Sequence, residues 1–491
     1  MVQLNLVESM DMKRFFLLCF LTGIFAVNLN AQSKNYVPYI EPCNCPVKID
    51  SNYETECGYL LVPENRKKKN SRIIKLPYII SKSKNPNKRK DPFLYSAGGP
   101  GGSSLGWITS VGRRPFIEDR DCIAFEQRGT RYAIPTLWSQ ELAETVKESY
   151  RKNLPKDSMM LVGAKKFKKA LEAKGIDLSG YNTDETVADI HDLLKVLRID
   201  SINLLGISYG GGLMLAVLQK DPSKVRSLVL DSPLPTFVPI DEEEPANFNE
   251  ALSILLKRCA RDSSDKALYG DIQEKFNRYF TSINGKVFSV NYTEPGSSTM
   301  LNIEYTSSEL INVLVNDLYD VSKWKDIPFM ILDMINGNHQ PYVKQTLDGV
   351  FRDNVPSGMR ISVYCADQTA YHDEAVLKQL YDIYPWMRGY HINDVYREIC
   401  DCWNVPPINP KTKEPFYSNK PVLLADGEVD PACRPIYIDM IHHYMPNSQR
   451  LLFKNRAHGV LGGSIQNEII RSFLNNPFKK IELNEKDVIV Y

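Results

Sequence analysis

The 491-residue chain lacks the features that mark several classes of protein. Its 60 Lys and Arg residues are balanced by 59 Asp and Glu, a formal net charge of +1, so it has no positive field to attract a nucleic-acid backbone. It has no internal repeat and no long low-complexity tract, and its 27 Gly and 30 Pro follow no short period, which excludes collagen-like, coiled-coil and disordered proteins. These absences leave an ordinary folded enzyme or binding module, with no nucleic-acid partner.

Long apolar runs are also scarce. The run near the N terminus, residues 15–27, follows Lys13 and Arg14 and precedes the small residue Ala31. It is shorter than the roughly 20 residues that span a bilayer, and this order of basic, apolar and small residues is typical of a secretory signal peptide. A retained membrane anchor is the weaker alternative. We therefore predict a signal peptide over residues 1–31 and a secreted or periplasmic mature protein with no stable membrane insertion.

Nine cysteines follow residue 31, and this odd number predicts at least one thiol that is free or pairs between chains. Cys43 and Cys45, like Cys400 and Cys402, are separated by one residue, which is too few for a zinc knuckle, and no His lies nearby. Disulfides are the expected state of cysteines in an exported protein. We predict disulfides, no metal ion and no cofactor.

Short apolar runs that end in Gly-rich turns alternate with helical patterns along the mature chain. The predicted strands are 58–63, 72–81, 92–95, 122–125, 201–207, 225–230, 421–425 and 450–453, and the helices beside them are 183–197, 210–219 and 464–474. Between them, amphipathic helices are predicted at 246–259, 307–325 and 374–384. A pattern that is interrupted and later completed predicts one α/β fold, a mostly parallel sheet flanked by helices, with an inserted and mainly helical cap. The predicted core is 32–235 and 411–491, and the cap is 236–410.

Residues 206–210, Gly-Ile-Ser-Tyr-Gly, match the nucleophile elbow Gly-x-Ser-x-Gly. The glycines of this motif let a strand turn sharply into a helix, so that the serine hydroxyl is exposed. A predicted strand precedes the motif and a predicted helix follows it, as this geometry requires. Ser208 is therefore the predicted nucleophile; a Gly-rich turn that only packs a helix on a sheet is the alternative.

A serine nucleophile needs a base and an orienting carboxylate, which follow an elbow in the order Asp, then His. His458 comes just after the predicted strand 450–453, whereas none of the other six histidines follows a late core strand. Asp430 lies in the turn 427–431, just past the strand 421–425, with Asp426 as the competing carboxylate. We predict Ser208, Asp430 and His458 as the catalytic residues.

Acyl transfer also needs N–H donors for the negative oxygen that develops on the substrate. The elbow geometry predicts the backbone N–H of Tyr209 as one donor. The second is predicted in residues 97–103, Ala-Gly-Gly-Pro-Gly-Gly-Ser, where Pro100 has no N–H, so Gly99 is the first candidate and Gly101 the second. A phosphate-binding loop is disfavoured because no Gly-Lys-Ser/Thr ending follows.

Five motifs together, at 96–103, 125–130, 206–211, 427–431 and 457–459, resemble the α/β-hydrolase serine peptidases of the prolyl aminopeptidase and tripeptidyl aminopeptidase family. The resemblance covers nearly the whole mature chain. It implies an exported serine aminopeptidase that releases single residues or short peptides from a substrate with a free N terminus, often at proline or small apolar side chains. It gives Ser208, His458 and Asp430 the roles of nucleophile, base and orienting acid.

Two residues depart from the family pattern. Ala97 stands where prolyl aminopeptidases usually have His, which argues against a strict preference for a single proline. Glu126 stands where Asp is usual before Gln-Arg-Gly. Arg128 of that motif is expected to brace loops rather than to contact substrate.

An aminopeptidase must hold a free ammonium group, and a carboxylate at close range would give both affinity and register. Asp367 and Glu374, in the segment that resembles the family's cap, are candidates, and the acidic run Asp241–Glu244 is another. A solvated surface charge is the competing interpretation of each.

Cysteines in the same region could tie the cap to its neighbours. Cys365 could pair with Cys400 or Cys402, and Cys57 could pair with Cys43 or Cys45 near the N terminus. Sequence alone leaves these alternatives open.

Two other functions remain compatible with the motifs. A carboxylesterase or lipase would use the same three residues but would need no ammonium site. A non-catalytic binding protein on a hydrolase scaffold ranks last, because no member of the triad is missing from the sequence.

Overall fold

The computed structural model describes residues 36–49, 52–262, 266–353 and 355–491, so the signal peptide predicted over 1–31 lies outside the described residues. The strands are β1 (Tyr39–Pro42), β2 (Thr55–Pro63), β3 (Ile73–Ser81), β4 (Phe93–Ser96), β5 (Cys122–Phe125), β6 (Ile202–Ile207), β7 (Val225–Asp231), β8 (Phe288–Thr293), β9 (Met300–Tyr305), β10 (Val422–Gly427), β11 (Ser448–Phe453) and β12 (Val488–Val490). The helices are α1 (Leu105–Ile108), α2 (Gln140–Arg151), α3 (Lys156–Ala173), α4 (Thr183–Val196), α5 (Tyr209–Lys220), α6 (Ile240–Asp262), α7 (Lys266–Tyr269), α8 (Ile272–Ile283), α9 (Ser307–Leu318), α10 (Ile327–Ile335), α11 (Gln340–Val350), α12 (Gly358–Tyr364), α13 (Glu374–Ile383), α14 (Arg397–Trp403), α15 (Ile436–Tyr444) and α16 (Ser464–Asn475).

Ten strands form one mixed sheet in the order β1-β2-β3-β5-β4-β6-β7-β10-β11-β12. The first two predicted strands, 58–63 and 72–81, correspond to β2 and β3, which pair antiparallel with Gly58 opposite Tyr78. The six strands from β5 to β11 in this order are mutually parallel. Because parallel strands end at the same edge of a sheet, the turns that follow β4, β6, β7, β10 and β11 meet there.

Both faces of the parallel region are buried, which is why its strands are apolar runs without alternation. On one face, α4 and α5 bury Ile190, Leu194 and Leu213. On the other face, α16 packs Ile469 and Phe473 against the sheet. The predicted mostly parallel sheet flanked by helices is confirmed.

The chain between β7 and β10 forms α6 to α14 and a two-stranded hairpin, β8 with β9. Helices α6 and α8 to α11 and the hairpin share a hydrophobic core of their own, whereas α12 and α14 pack into the core that contains α4 and α5. These helices lie largely within residues 236–410, the segment predicted as the cap, and the hairpin was not predicted. Helices α2 and α3, which the sequence analysis assigned to the core, also contact this part: the Tyr150 hydroxyl donates to Glu309 Oε1 at 3.0 Å, and Phe167 meets the edge of Trp403. We call all these elements together the cap layer.

Two disulfides join Cys45 to Cys57 and Cys365 to Cys400, which selects one of the two alternatives in each predicted pair. The free cysteines of the described residues are Cys43, Cys122, Cys259, Cys402 and Cys433. Within the described ranges, none of the helices combines the length and the apolar character needed to cross a bilayer.

Candidate active site

Ser208 stands alone between β6, which ends at Ile207, and α5, which begins at Tyr209. Its φ of +56° and ψ of −128° are a conformation that residues with a side chain rarely adopt. The sharp turn requires glycine at both positions. A Cβ on Gly206 would collide with the Gly210 carbonyl oxygen, and one on Gly210 would lie 2.6 Å from the Ala97 carbonyl oxygen. The structure therefore has the strand, turn and helix that the predicted elbow requires.

The backbone of Ser208 is fixed on both sides. Its N–H donates to the Asp231 carbonyl oxygen at 3.0 Å, and its own carbonyl oxygen accepts from the N–H groups of Gly211, at 2.8 Å, and Leu234, at 3.0 Å. The N–H of Tyr209, the first residue of α5, has no carbonyl partner within its own helix. Tyr209 therefore remains a predicted oxyanion donor, with its N–H at the start of the helix.

His458 and Asp430 come together from the turns after β11 and β10. The distance from His458 Nδ1 to Asp430 Oδ2 is 2.7 Å, and the Asp430 side chain is fully buried. Asp430 Oδ1 accepts from the N–H groups of Ala432 and Cys433, both at 2.8 Å. Because a carboxylate accepts, His458 donates from Nδ1, which leaves Nε2 able to accept a proton.

The surroundings of His458 favour its charged form. Burial lowers the pKa of His458, but the charge of Asp430 and the hydrogen bond with it, together with the charge of Asp231, raise the pKa above its usual 6.5. The ring of Tyr319 packs edge-on against the imidazole, with 5.8 Å between ring centres. An imidazolium stabilised in this way is what a base that takes a proton from serine needs.

Asp426, the competing carboxylate, does not take the place of Asp430. It is fully buried, and its Oδ1 accepts from the Gly427 N–H at 2.7 Å. Burial, and then the neighbouring charge of Asp430, raises the pKa of Asp426 well above its usual value. Of the two carboxylates, Asp430 is the one that bonds to the His458 imidazole.

The turn at residues 97–103, which we call the glycine turn, lies directly against the elbow. A Cβ on Gly98 would lie 2.8 Å from the Ser208 Cβ, so only glycine allows this approach. Gly99 and Gly101 have φ values of +117° and +102°, which also favour glycine. Gly99 lines the same cavity as Ser208, whereas Gly101 is not among the residues that line it, and a Cβ on Gly101 would meet the Ser357 hydroxyl of the cap layer at 2.9 Å. The position of Gly99 thus fits an oxyanion donor better than that of Gly101.

Side chains of the motif at 125–130 form hydrogen bonds to the glycine turn. Gln127 Nε2 donates to the Ala97 carbonyl oxygen at 2.9 Å, and the buried carboxylate of Glu126 accepts from the Ser103 hydroxyl at 2.9 Å and the Ser104 N–H at 3.0 Å. The extra methylene of Glu, compared with Asp, is accommodated in this network.

Arg128 is also fully buried, and it donates from Nε and Nη2 to the two carboxylate oxygens of Asp189, both at 2.7 Å. Its Nη1 donates to the carbonyl oxygens of Glu64 and Gly180. The prediction that Arg128 braces loops is confirmed.

Ser208 and His458 line a cavity of about 440 Å³ between the sheet edge and the cap layer, which we call the Ser208 cavity. The cap layer supplies Ile240, Glu244, Tyr319, Arg360 and Tyr364 to its wall. The rest of the wall comes from Gly98, Gly99, Gly102, Ile207, Leu234, Ala432 and Cys433.

Glu244 is the one carboxylate on the wall of this cavity. Its Oε2 is buried and has no hydrogen-bond partner among the described residues. Burial, followed by the charge of Asp241, raises the pKa of Glu244 to about 8, against the opposing effect of Arg360. A buried carboxylate without a partner is costly, and a cation in the cavity would relieve that cost.

Asp367 and Glu374, the two carboxylates singled out from the sequence, do not line the Ser208 cavity. Asp367 accepts a hydrogen bond from the Thr183 hydroxyl and lines a separate small cavity, where burial raises its pKa to about 7. Glu374 bonds to His372 and to Arg397, and it lines another cavity, of about 910 Å³. Of the predicted carboxylates, only the run Asp241–Glu244 contributes to the Ser208 cavity.

Sequence reasoning missed Tyr319, Arg360 and Cys433 on this wall. Cys433 could have been found, since it lies three residues past Asp430 in the same turn. Tyr319 and Arg360 belong to helical segments far along the chain, and only their packing brings them to the cavity.

Two family models match the chain. One, described as an alpha/beta hydrolase fold, matches residues 91–251, which include Ser208. The other, described as a TAP-like protein, matches residues 387–482, which include Asp430 and His458. The chain has the α/β-hydrolase fold. It resembles the tripeptidyl aminopeptidases.

Individual relatives of this α/β-hydrolase are distant. It is 26% identical over 188 residues to a tripeptidyl aminopeptidase of Streptomyces lividans, and the match covers 36% of this chain and 35% of that protein. The chain therefore spans about a third of the length of this curated relative. It is 22% identical to the putative hydrolase YuaR of Escherichia coli, over 73% of this chain and 72% of that protein. A 2-hydroxy-6-oxo-6-phenylhexa-2,4-dienoate hydrolase structure from Rhodococcus has 11% identity and a TM-score of 0.36, covering 86% of this chain and 100% of that chain.

Proposed function

We propose that this α/β-hydrolase is an exported serine aminopeptidase that releases single residues or short peptides from free N termini. Ser208 is the nucleophile, His458 the general base, and Asp430 the carboxylate that orients His458. The N–H groups of Gly99 and Tyr209 stabilise the oxyanion. The proposal needs neither a metal ion nor a cofactor.

The observation that carries the aminopeptidase proposal is Glu244. Its buried Oε2, which has no hydrogen-bond partner in the part of the chain that the structure describes, belongs to a side chain that lines the same cavity as Ser208 and His458. The N-terminal ammonium of a peptide would supply the missing positive charge and hydrogen bonds. An ester or lipid substrate has no group that would satisfy this carboxylate.

The reaction follows from the donors and acceptors already described. Ser208 Oγ forms a bond to the substrate carbonyl carbon while its proton passes to His458 Nε2, and the carbonyl electron pair moves to an oxygen held by two N–H groups. The C–N bond then breaks as His458 returns the proton to the leaving amine, which leaves an acyl-enzyme. Water attacks this ester, giving its proton to His458, and Ser208 leaves with that proton. The released fragment keeps its free N terminus.

The wall of the cavity suggests which side chains are accepted. Leu234, Ile240 and Tyr364 present apolar surface beside Ser208. A substrate residue with an apolar side chain would bury its surface there, at roughly 25 cal/mol per Å².

Export is supported by the two disulfides. Cys45–Cys57 and Cys365–Cys400 are bonds that persist in oxidising compartments and are rare in the cytosol. They agree with the secretory signal predicted before residue 32.

A first experiment tests the serine chemistry. We expect a fluorophosphonate to label Ser208, and Ser208→Ala to abolish hydrolysis of peptide anilides with free N termini. Ser223→Ala, at an exposed loop position, is the matched control and should retain wild-type activity. Substantial cleavage by Ser208→Ala would contradict the proposal.

A second experiment separates a peptidase from a carboxylesterase. Acetylation of the substrate's N terminus removes the positive charge that Glu244 would hold, so an aminopeptidase should lose most of its activity. Equal rates on free and acetylated substrates would favour the esterase alternative.

A further inference from the structure

The glycine turn carries few side chains that could hold its tip in place. Glycine loses more conformational freedom on folding than any other residue, so the order of this turn must come from contacts with its backbone. The base of the turn is held by Gln127, which donates to the Ala97 carbonyl oxygen. At the tip, the Gly99 carbonyl oxygen accepts from Arg360 Nη1 at 3.1 Å.

Arg360 is itself held rigidly. Its Nε donates to Asp394 Oδ1 at 2.6 Å, and its Nη2 donates to Asn393 Oδ1 at 3.0 Å. The guanidinium lies over the ring of Tyr364, 4.6 Å from the ring centre. Because the three nitrogen atoms of a planar group each have a different partner, the direction of Nη1 is fixed.

The helix that carries Arg360 presses on the same turn. Ser357 caps this helix, α12, by accepting from the Arg360 N–H at 3.2 Å. A Cβ on Gly101 would lie 2.9 Å from the Ser357 hydroxyl and 3.5 Å from the Arg360 Cβ. The cap layer therefore meets the glycine turn without a gap at the point where Arg360 reaches Gly99.

We propose that Arg360 is a positioning residue for acyl transfer, one that fixes the tip of the glycine turn so that the Gly99 N–H points toward the developing oxyanion. The Gly99 N–H belongs to the Gly98–Gly99 peptide group, whose carbonyl oxygen accepts from the Gly102 N–H at 3.1 Å. Arg360 holds the next peptide group through the Gly99 carbonyl oxygen, so that without Arg360 the dihedrals of Gly99 would be held from one side only. The inference rests on the proposed function only in taking Gly99 as an oxyanion donor. It makes the cap layer part of the chemical step and not only of substrate binding.

The expected effect is on turnover. Deleting an oxyanion donor costs on the order of 10² to 10³ in kcat, and an indirect loss of its orientation is expected to cost about 10- to 100-fold. The substrate for this test is p-nitrophenyl acetate, which has no ammonium group and therefore does not use Glu244. The KM for this ester should change little, because the oxyanion forms only after binding.

The experiment compares Arg360→Gln with wild type in the full chain. We expect kcat for the ester and the rate of inactivation by a fluorophosphonate to fall together by about 10- to 100-fold. Arg388→Gln is the matched control, since Arg388 lies in the cap layer and bonds to Asp382 and the Tyr381 carbonyl oxygen; it should behave as wild type. An Arg360→Gln enzyme with wild-type kcat, or one that changes only KM, would overturn the inference.

A second variant keeps the test decisive if Arg360→Gln does not fold. Asp394→Asn changes a side chain that is 43% exposed and that accepts the hydrogen bond from Arg360 Nε. The variant keeps Arg360 but removes the negative charge that helps to hold its guanidinium. It should lower kcat in the same direction but by less, with an unchanged melting temperature. Wild-type kcat in this variant would overturn the inference.

The outcomes also separate this inference from the proposed function. If the wild-type enzyme hydrolyses the ester through Ser208 but no peptide with a free N terminus, the aminopeptidase proposal fails, and the Arg360 variants still decide the inference. If it neither hydrolyses the ester nor reacts with the fluorophosphonate, both are wrong.

Discussion

Replacing Glu244 with Gln tests whether this carboxylate holds the substrate's N terminus. The substitution keeps the shape of the side chain and removes its charge. Glu244 lines the Ser208 cavity with one buried oxygen that has no partner among the described residues. The change should therefore weaken the binding of a cation and leave the acyl-transfer groups intact.

The magnitude follows from the environment of Glu244. Two unit charges 4 Å apart attract by about 4 kcal/mol at an effective dielectric constant of 20. The desolvation of the ammonium and the nearby positive charge of Arg360 reduce this figure, and charge-assisted hydrogen bonds contribute about 1.5–3 kcal/mol net. We expect a loss of about 2–3 kcal/mol, which is about 30- to 150-fold in kcat/KM at 1.4 kcal/mol per factor of ten.

The assay compares kcat/KM for one peptide anilide with a free and an acetylated N terminus, at pH 8. Burial raises the pKa of Glu244 to about 8, so the empty wild-type site is protonated in most molecules at pH 7. The advantage of wild type over Glu244→Gln should therefore shrink about fivefold between pH 8 and pH 7.

Glu243→Gln is the matched control, because it makes the same change of charge on the neighbouring residue of α6, outside the cavity wall. It should retain the wild-type preference for free N termini. The reasoning is refuted if Glu244→Gln shows the same preference as wild type, or if it loses activity equally on acetylated substrates.

Two further predictions concern the pH profile and the stability of the core. The charge of Asp430 and its hydrogen bond outweigh burial and raise the pKa of His458 above 6.5, so kcat for p-nitrophenyl acetate should rise with pH through a midpoint above 6.5. Asp430→Asn should lower this midpoint and reduce the plateau of kcat by about 10⁴-fold. An unchanged midpoint in a pH–rate titration would contradict this prediction. Arg128→Met should lower the free energy of unfolding by about 3–5 kcal/mol in urea denaturation, because it leaves the buried Asp189 with one cation fewer. The control, Arg278→Met, breaks an exposed pair with Glu274 and should cost less than about 0.5 kcal/mol. Equal losses in the two variants would show that the buried pair contributes no more to stability than the exposed one.

The parts of the site that sequence could predict are those where backbone geometry restricts the choice of residue. Only glycine fits at Gly206 and Gly210, since a side chain would strike neighbouring backbone, so the motif around Ser208 predicts its own conformation. Asp430 and His458 could be predicted because each follows a core strand whose apolar run is visible. Arg128 could be predicted as a brace by its motif.

The carboxylate of the cavity could not be selected in this way. Glu374 pairs with His372 and Arg397, and Asp367 accepts from the Thr183 hydroxyl. Asp367 Oδ1, like Glu244 Oε2, is buried without a partner among the described residues, so Glu244 is distinguished by its place on the wall of the Ser208 cavity. Nothing local to these three carboxylates distinguishes them, because what differs is the tertiary packing around each. The same reason explains why α2 and α3 were assigned to the core, although their outer faces pack on the cap layer.

Helix α6 begins nine residues after β7 ends, so Glu244 stands close to the point where the cap layer leaves the sheet. If Glu244 holds the substrate's N terminus as proposed, the sheet and the first turns of one helix set its distance from the Ser208 hydroxyl. On that proposal, a change in the size of the more distant part of the cap layer, including the β8–β9 hairpin, would leave this distance unchanged. Evolution or engineering could then widen the entrance to the cavity for bulkier chains while the distance from Glu244 to Ser208, and with it the number of residues released, stays the same.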